Sequence, residues 1–564
     1  MRTTRRRNAD GSVVAYHQLA ENVWDPAKGC AVARVVYNFG RADQLDHAAL
    51  RRLARSILRI VSAEDAVAAD PDVRLLDAWP YGGVYVLDCL WRELGIDQVI
   101  AAHAPTRRDR QPLERALFAL VANRALQPYS KLYCHEQWLR EEVFLPGQAQ
   151  LALHHLYAAM DLLEAHKVEV EQAIYFRMAD LLNADVDVIF YDTTSLHFEI
   201  DAEDAGSSQG SRAAGGREYP ALRTRGHSKN GRGDAPQIVV GLAVTRDGLP
   251  VRSWVWPGAT PDVTTVEQVK ADLRGWRLGR CVFVGDAGMN SEANRRTLAL
   301  GGGKDILATR LRAGDEVSTA VLTRPGRSHP VAENLRVKEV VVGNGERRQR
   351  YVVCHNPQEA DRQQRHRTAV LEALRAELAT RAAPPRGGRH SKRTCELLTT
   401  ERYRRYLRQT RTGALRLSRA AVAAEAKRDG KWVITTNDDT LTPEDLALGY
   451  KQLLRVEQCW RTMKSGLRTR PVHHWRAHRI CAHVSLCVLA LLLERVAERR
   501  AGDTWRNILA QLDTVKVVAY ERAGTRIQQT TELRGPLPAL LKRLQVPPPP
   551  ALHAIRPAPA PADA

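Results

Sequence analysis

The sequence has few cysteines, no long apolar segment and too few acidic residues to balance its basic ones. Its nine cysteines among 564 residues form no CxxC pair and no zinc-like spacing. This pattern excludes a disulfide or zinc-finger scaffold and predicts reduced, mostly buried thiols in a cytosolic protein. No apolar segment follows the basic start MRTTRRRNADG, so no secretory signal is predicted. The longest apolar run, residues 484–493, is too short to cross a membrane and predicts a buried helix.

The shortage of acidic residues leaves the chain strongly basic. It carries 84 Lys and Arg against 64 Asp and Glu, which gives a net charge of +20 and a pI near 9.8. Arginine outnumbers lysine, and its guanidinium suits bidentate contact with phosphate. The excess predicts a polyanionic partner, with nucleic acid ahead of a membrane surface. The alternative, an ordinary enzyme from an arginine-rich, high-GC genome, accounts for part of the same charge.

Two predicted strands end in an aspartate. Residues 186–191 have the sequence VDVIFY and lead to Asp192, and Cys281–Gly285 leads to Asp286. The carboxyl ends of strands in an α/β sheet are where ligands and metals gather. Either aspartate alone is equally well explained as the cap of a turn. As a pair they predict oxygen ligands of the kind that Mg²⁺ or Mn²⁺ prefers.

The segment from Tyr450 to Lys464, YKQLLRVEQCWRTMK, is predicted as a helix with two distinct faces. Its apolar positions recur at helical spacing and predict burial; they are Val456, Cys459, Met463 and, just beyond the segment, Leu467. The other face carries a carboxylate, an indole and two cations: Glu457, Trp460, Arg461 and Lys464. A surface row of salt bridges is the ordinary explanation for such a face. Together with Asp192 and Asp286, however, Glu457 completes three carboxylates suited to hold a pair of metal ions.

Several stretches occur in an order that resembles one protein family. They are IFYDTTSLHFE, HSKNGRGDAPQIVVGLAVTRDGLPV, WPGATPDVTTV, FVGDAGMNSEANRRTL and DGKWVITTNDDTLTPEDLALGYKQLLRVEQCWRTMKSGLRTRPVHHWRAHRICAHVSLCVLALLLER, over 185–310 and 430–496. The chain resembles a DDE transposase of a bacterial insertion sequence. The similarity is to the group with the YREK signature in the insertion-sequence-4 superfamily, and within it most to the 1634 branch.

The resemblance implies an α/β fold with a ribonuclease-H-like catalytic core, interrupted by a mainly β insertion and preceded by a mostly helical N-terminal domain. Asp192, Asp286 and Glu457 are then the expected catalytic residues and the ligands of two Mg²⁺ or Mn²⁺ ions. The N-terminal region has two alternatives, binding of DNA ends and plain packing. The predicted segments are an N-terminal region at 1–183, core parts at 184–310 and 431–500, an insertion at 311–430, and a C-terminal region at 501–564 with a disordered Pro/Ala-rich tail.

The family signature is Tyr, two residues, Arg, three residues, Glu, six residues, Lys. Tyr450, Glu457 and Lys464 match it, but Leu453 stands where the family has Arg. Arg461, one helical turn beyond Glu457, is the better candidate for a phosphate contact. In the resembled enzymes the Tyr and Lys hold phosphates beside the cleaved end, which implies DNA contacts for Tyr450 and Lys464.

Further DNA contacts are predicted around this set. Trp460 has a ring suited to stack on an extruded base, although a helix tryptophan more often packs in a core. His227, Lys229 and Arg232, in the Gly-rich loop HSKNGRGD, are expected to face the DNA backbone, with a solvated loop as the equal alternative. Four downstream histidines are expected on DNA-facing or helix surfaces, because Mg²⁺ chemistry does not use imidazole; they are His473, His474, His478 and His483.

The predicted activity is cut-and-paste transposition by a homodimer bound to the terminal inverted repeats of its element. Hydrolysis of one strand at each end gives a 3′-OH. The resemblance implies that this 3′-OH forms a hairpin with the opposite strand and, after resolution, joins target DNA. A cytoplasmic, nucleoid-associated bacterial protein without a membrane partner is expected. Two alternatives stay open: an inactive DNA-binding protein derived from a transposase, against which the complete carboxylate set argues, and a stand-alone nuclease of the same fold.

Overall fold

The computed structural model describes residues 2–7, 13–42, 45, 73–182, 187–211, 214–229, 231–276, 278, 281–311, 316–345, 348–379, 392–411 and 414–557. Its contacts divide the chain into two units. One comprises residues 1–78, 518–529 and 552–564, and the other comprises residues 79–517 and 530–551. The boundaries of the five predicted segments stay predictions. The candidate site lies wholly within the second unit.

Two sheets account for the strands of the first unit. One is antiparallel and has the order β1 (Arg2–Arg7), β2 (Val13–Asp25), β3 (Cys30–Arg41). The other has the order β20 (Leu552–Pro557), β19 (Thr525–Thr530), β18 (Lys516–Arg522), β4 (Arg74–Pro80). The neighbouring strands β18 and β19 confirm the hairpin predicted near the C-terminus.

Residues 2–7, 13–25 and 30–41 form strands, because their Val- and Tyr-containing segments pair with one another. One prediction is corrected at its first residue. The predicted disordered tail at 557–564 begins inside a strand, since Pro557 ends β20 and lies opposite Thr525 of β19. Residues 558–564, the rest of that tail, lie outside the described residues. So do residues 46–61, where a basic helix is predicted, and 383–391, where a basic loop is predicted.

The second unit begins with six helices, and these agree with the helical character predicted for this stretch. They are α1 (Gly82–Glu93), α2 (Ile96–His103), α3 (Arg110–Leu126), α4 (Lys131–Tyr133, continued by a π-helix at Cys134–Glu142), α5 (Leu153–Ala165) and α6 (Lys167–Leu182). The middle helix α3 is buried along nearly all its length. Two of its three buried charges, Glu114 and Arg115, are paired, and Arg115 donates to Glu114 at 2.6 Å and to Asp88 at 2.8 Å. Pairing removes most of the cost of burying them.

A nine-stranded sheet organises the rest of the second unit. Its order is β12 (His329–Ala332), β13 (Leu335–Val342), β14 (Gln349–His355), β17 (Lys431–Thr436), β11 (Lys304–Thr309), β10 (Val282–Gly285), β5 (Val188–His197), β8 (Gln237–Thr245), β9 (Pro250–Pro257). Two short pairs lie apart from it: β6 (Ser208–Gln209) with β7 (Glu218–Tyr219), and β15 (Leu407–Gln409) with β16 (Leu415–Leu417).

One side of this sheet forms the core that positions the site. The sequence predicts a meander of strands at 186–192, 237–245 and 251–256, and β5, β8 and β9 confirm it by pairing antiparallel. Strands β10 and β11 run parallel to β5 and follow the crossover helices α7 (Asp262–Gly275) and α8 (Glu292–Ala299). Strand β8 is buried at every position, as expected for a strand covered on both faces. This arrangement fits the predicted ribonuclease-H-like core.

The predicted insertion is divided between the sheet and a helical excursion. Strands β12, β13 and β14 extend the central sheet, and β14 pairs with β17 so that His355 lies opposite Lys431. Helix α9 spans Glu316–Thr323. Between His355 and Lys431 the chain forms the β15–β16 hairpin and the helices α10 (Pro357–Ala379), α11 (Lys392–Thr399), α12 (Glu401–Arg404) and α13 (Arg419–Ala426).

Helix therefore exceeds strand in the described part of 311–430, and the prediction of a mainly β insertion is wrong. The physical reason lies in composition, because α10 is rich in Ala, Arg, Glu, Gln and Leu, which favour helix. The excursion also has an apolar cluster of its own, formed by Leu371, Leu374, Leu397, Tyr403 and Tyr406. It is thus a small helical body carried on one end of a strand pair.

The remaining helices are α14 (Pro443–Lys451), α15 (Leu454–Arg461), α16 (Ala477–Ala501), α17 (Trp505–Leu512) and α18 (Leu537–Leu544). Among the described residues, α16 is the one helix long and apolar enough to cross a membrane, and 94% of its most apolar window is buried inside the fold. The predicted buried helix at 484–493 is therefore confirmed.

Two of the histidines on α16 lie in the core, which corrects their predicted surface position. His478 and His483 are 2% and 3% exposed. The Lys131 amine lies 2.8 Å from His483 Nδ1, and His483 Nε2 lies 3.0 Å from the Thr469 carbonyl oxygen. Burial lowers the pKa of His483 and also lowers that of Lys131, to about 7. These side chains join the helical layer to the loop that follows α15.

Candidate active site

Two aspartates meet because their strands are parallel neighbours. The last paired residues of β5 and β10 are Tyr191 and Gly285, which lie opposite each other. Asp192 and Asp286 are the next residue along each strand, so they occupy adjacent positions about 5 Å apart at the backbone. The structure brings these two predicted site residues together by strand register alone.

The position of Asp192 differs from the prediction in one respect. The strand does not end there but continues to His197, because β5 stays paired with β8 from Ile189 to His197. Asp192 lies opposite Leu242 of β8, inside the sheet, with its side chain 19% exposed. Asp286 does follow the end of its strand, and its carboxylate accepts a hydrogen bond from the Ala287 amide at 2.6 Å.

The Asp192 carboxyl is held in an unfavourable electrostatic environment. Its pKa is raised to about 6, mainly by burial and also by the neighbouring carboxylates of Asp286 and Asp262, against the opposing effect of Lys229. A carboxyl whose pKa rises next to other carboxylates marks excess negative charge at one point. Groups perturbed in this way cluster at functional sites.

The helical half of the site is interrupted rather than continuous. Helix α14 ends at Lys451, a turn at residues 452–453 follows, and α15 begins at Leu454. A π-helix at Thr462–Gly466 continues α15. The predicted single helix through 450–464 is therefore wrong, although the predicted apolar face is confirmed, with Val456, Cys459, Met463 and Leu467 all buried at 0–1% exposure. Packing of this face fixes the segment against β5 and β8.

Glu457 and Tyr450 approach the two aspartates from this segment. Glu457 lies exposed in the first turn of α15. Burial raises the pKa of the half-buried Tyr450 phenol, and the carboxylates of Asp286, Asp192 and Glu457 raise it in addition. All three carboxylates therefore lie close enough to one phenol to act on its ionisation. The structure brings the three predicted catalytic carboxylates toward a common point.

Lys464 lies at the same point and has a second cation beside it. Its pKa is lowered to about 8, mainly by burial and also by Arg470, against the opposing effect of Asp192. Arg470 is held there by its neighbour, because the Thr469 amide and hydroxyl donate to the Met463 carbonyl oxygen at 2.9 and 2.7 Å. Sequence reasoning missed Arg470, since its approach depends on a loop that folds back onto the π-helix.

Arg461 and Trp460 are the other predicted DNA contacts on α15, and only one of them is exposed. Arg461 is exposed on the last turn. Trp460 is 6% exposed and belongs to the main apolar core, which corrects its predicted role of stacking on a base. Leu453, at the position of the missing signature arginine, is 7% exposed and packs in the same core. A guanidinium there would need a buried partner.

Asp262 is a second site residue that the sequence does not predict. It is the first residue of α7, and its carboxylate accepts from the Thr193 hydroxyl at 2.5 Å and pairs with the Lys229 amine at 2.9 Å. Lys229 also lies 3.9 Å from Asp192. The sequence signal is weak, because an aspartate at the start of a helix after Pro261 is ordinary helix chemistry.

The Gly-rich loop contributes unequally to the site. Lys229 reaches the carboxylates, as described, and His227 lines a groove of 1610 Å³ that begins beside Asp262. Four arginines also line the groove: Arg295, Arg296, Arg310 and Arg348. Arg232 instead forms ion pairs with Asp234 at 3.1 Å and with Glu199 at 3.4 Å.

The donor set fits a divalent cation in its chemistry. Asp192, Asp286 and Glu457 offer carboxylate oxygens, the ligands that Mg²⁺ and Mn²⁺ prefer. Burial is the main cause of the raised pKa of Asp192, and a bound cation would favour its ionised form. Among the residues described, no three His, Cys, Asp or Glu side chains are already grouped as a metal site. The carboxylates are therefore suitable in kind and have to draw together around an ion.

Two family profiles match this chain. The profile described as IS1634 family transposase, N-terminal domain, matches residues 1–69, and that of the transposase DDE domain matches residues 208–493, just over half of the chain. The chain belongs to the DDE transposases of the IS1634 family. The DDE match in this transposase includes Asp286 and Glu457 and begins beyond Asp192. The family typically uses divalent metal ions, in agreement with the chemistry of the carboxylates.

Among solved structures the transposase is similar to a cryo-EM structure titled piggyBac transposase synaptic complex with hairpin DNA. The two chains are 9% identical with a TM-score of 0.34, and the similarity covers 76% of this chain and 78% of that one. Comparison with curated protein sequences gives no match.

Proposed function

We propose that the transposase cuts DNA at the ends of its element and joins the resulting 3′ ends to target DNA, with Asp192, Asp286 and Glu457 as its catalytic carboxylates. The observation that carries the proposal is the register of β5 and β10, which sets Asp192 and Asp286 side by side beneath the helix that bears Glu457. Membership of the DDE family supports the same reaction class. Both steps are in-line displacements at phosphorus and use one site.

Each residue has a role that follows from its surroundings. The three carboxylates would hold the divalent ions, two Mg²⁺ or Mn²⁺, which when bound lower the pKa of an attacking water or hydroxyl and neutralise the leaving oxygen. Lys464, with Arg470 beside it, offers positive charge to the phosphate that is cut. Tyr450 stays protonated because burial and three carboxylates raise its pKa, so its hydroxyl is a hydrogen-bond donor to phosphate.

The proposed DNA partners are the terminal inverted repeats and the target duplex, bound by a homodimer. A net charge of +20 supports a polyanionic partner, and the match to an IS1634 N-terminal domain at 1–69 makes this region the candidate reader of the ends. Binding should weaken with salt at a log–log slope of about −0.9 for each phosphate contacted. His227, Lys229, Arg232 and Arg461 stay predicted backbone contacts.

The test uses purified transposase and a duplex that carries one end of the element, taken from the DNA flanking the coding region. Asp192→Asn, Asp286→Asn and Glu457→Gln should each reduce cleavage below detection, because each removes a carboxylate ligand, while end binding persists. Glu169→Gln, an exposed carboxylate on α6, is the matched control and should cleave normally. Cleavage by any one of the three variants at the normal rate would exclude that residue from the site.

A second assay separates transposition from simple nuclease activity. Pre-cut ends with a free 3′-OH are incubated with a supercoiled target plasmid and Mg²⁺. The proposed function requires a covalently joined product from the unaltered transposase and none from Asp286→Asn. Cleavage without joining would identify a stand-alone nuclease, and binding without either reaction would identify an inactive DNA-binding protein.

A further inference from the structure

The amine of Lys229 uses its whole hydrogen-bonding capacity inside the candidate site. Its nitrogen lies 2.7 Å from the Thr193 carbonyl oxygen, 2.6 Å from the Thr193 hydroxyl oxygen and 2.9 Å from an Asp262 carboxylate oxygen. An ammonium has three donors, so these three partners saturate it. The same nitrogen lies 3.9 Å from Asp192 Oδ1, close enough for a direct electrostatic interaction.

The chain holds this lysine in place from two sides. Its backbone amide donates to the Ser195 hydroxyl at 3.1 Å, which ties the Gly-rich loop to β5. Asp262 accepts from the Thr193 hydroxyl at 2.5 Å as well as from the lysine, so its carboxylate is oriented before it meets the cation. The position of Lys229 beside Asp192 is therefore built from strand β5 and the start of α7.

The charges explain why a cation is stable at this position. Asp286 neighbours Asp192 across β5 and β10, and Asp262 lies 2.9 Å from the Lys229 amine, which lies 3.9 Å from Asp192. Lys229 is thus the neighbour that compensates the negative charge of Asp192. A divalent ion would satisfy the same need with twice the charge, and the Lys229 ammonium beside Asp192 would repel it.

We propose that Lys229 is an internal counter-cation that Asp262 holds next to Asp192 until a divalent ion binds, and that binding of the ion displaces its ammonium toward the DNA. Asp262 is then a positioning residue that acts through Lys229. The inference rests on the proposed function, since it takes Asp192 as a metal ligand. It adds a competition between a lysine and the metal ion for the same carboxylate.

The test measures Mn²⁺ binding to the full-length, DNA-free transposase at pH 8, by the loss of the free-ion electron paramagnetic resonance signal. Lys229→Met should bind Mn²⁺ about fivefold more tightly or better, because a competing unit charge near 4 Å is removed. Arg246→Met is the matched control: it removes the same charge from an exposed ion pair with Asp187 and should leave the dissociation constant unchanged. Thermal unfolding of each variant checks that it is folded.

A double-mutant cycle tests the role given to Asp262. Asp262→Asn should weaken Mn²⁺ binding in the native background, because the freed lysine can close on Asp192. In the Lys229→Met background the same change should have no effect. An equal loss in both backgrounds would overturn the positioning role and make Asp262 a ligand or a plain charge. If Lys229→Met binds Mn²⁺ no more tightly than the unaltered chain, Lys229 does not compete with the metal ion for Asp192, and the inference is overturned.

Asp192→Asn distinguishes failure of this inference from failure of the proposed function. If Asp192→Asn binds Mn²⁺ as tightly as the unaltered chain, the carboxylate set is wrong and the inference is overturned with it. If Asp192→Asn loses Mn²⁺ binding while Lys229→Met fails to gain it, the carboxylate set stands and only the counter-cation is overturned.

Discussion

The two halves of the candidate site are built in different ways. Asp192 and Asp286 are placed by the register of two parallel strands, which fixes their separation to within the spacing of a sheet. Tyr450, Glu457 and Lys464 are placed by a segment that is broken by a turn and by a π-helix. π-Helical turns are often found at functional sites. We therefore expect the strand half to stay rigid and the helical half to adjust when ligands bind.

The largest expected effect comes from changing side-chain length while keeping the charge. Asp192→Glu pushes a carboxylate about one methylene further inside a buried strand, and such a misplacement costs about 100-fold in cleavage rate. Glu457→Asp should reduce the cleavage rate by only about tenfold, because α15 can shift on its apolar face. Single-turnover cleavage at saturating Mg²⁺ measures both. Equal losses would remove the distinction between the two halves.

The next effect is on stability and depends on pH. Burial raises the pKa of Asp192 from 3.8 to about 6, so its protonated form is favoured by folding. The stability this contributes is complete below pH 3.8 and is lost as the pH rises through 6. Asp192→Asn should therefore raise the free energy of unfolding at pH 8 in EDTA by about 2–3 kcal/mol, with the gain vanishing near pH 4.

The matching variant in the helical half is Glu457→Gln. Because Glu457 is exposed, this change should alter the free energy of unfolding by less than about 0.5 kcal/mol at either pH. Denaturant unfolding at pH 4 and pH 8 provides both values. A loss of stability in Asp192→Asn at pH 8 would contradict the view that the site is strained by its own negative charge.

The smallest effect concerns the missing signature arginine. Arg470→Ala should reduce the salt slope of end binding by about one phosphate, because Arg470 lies beside Lys464. Arg461→Ala tests the alternative from the sequence, the exposed arginine one turn beyond Glu457. Titrations at three salt concentrations distinguish them. If the salt slope of end binding is unchanged in Arg470→Ala and reduced in Arg461→Ala, Arg461 and not Arg470 contacts the phosphate.

Much of the core was predictable because its signals are local. The meander strands and β10 follow from short apolar runs, and the apolar face of α15 follows from apolar residues three and four positions apart. Long-range pairing has no such signal. Strands β13 and β14 are recognisable in sequence, but nothing local indicates that β14 pairs with β17, more than seventy residues later.

The missed residues of the site share one physical cause. Asp262 and Arg470 reach the site through a helix end and a loop whose course depends on tertiary contacts. The interruption at 452–453 was missed because Gln452 and Leu453 are ordinary helix formers. Trp460 was misassigned because a helix-face pattern does not show which of two amphipathic faces is covered by another element.

The opposition of His355 and Lys431 makes the long excursion topologically equivalent to a hairpin loop. The chain leaves the sheet at one residue and returns at the residue directly across the ladder, so the strands flanking it keep their register whatever lies between them. Sequence length can therefore be gained or lost at this one place without moving β11, β10 or β5. The helical excursion of the transposase can therefore change in evolution without altering the strands that carry the catalytic residues.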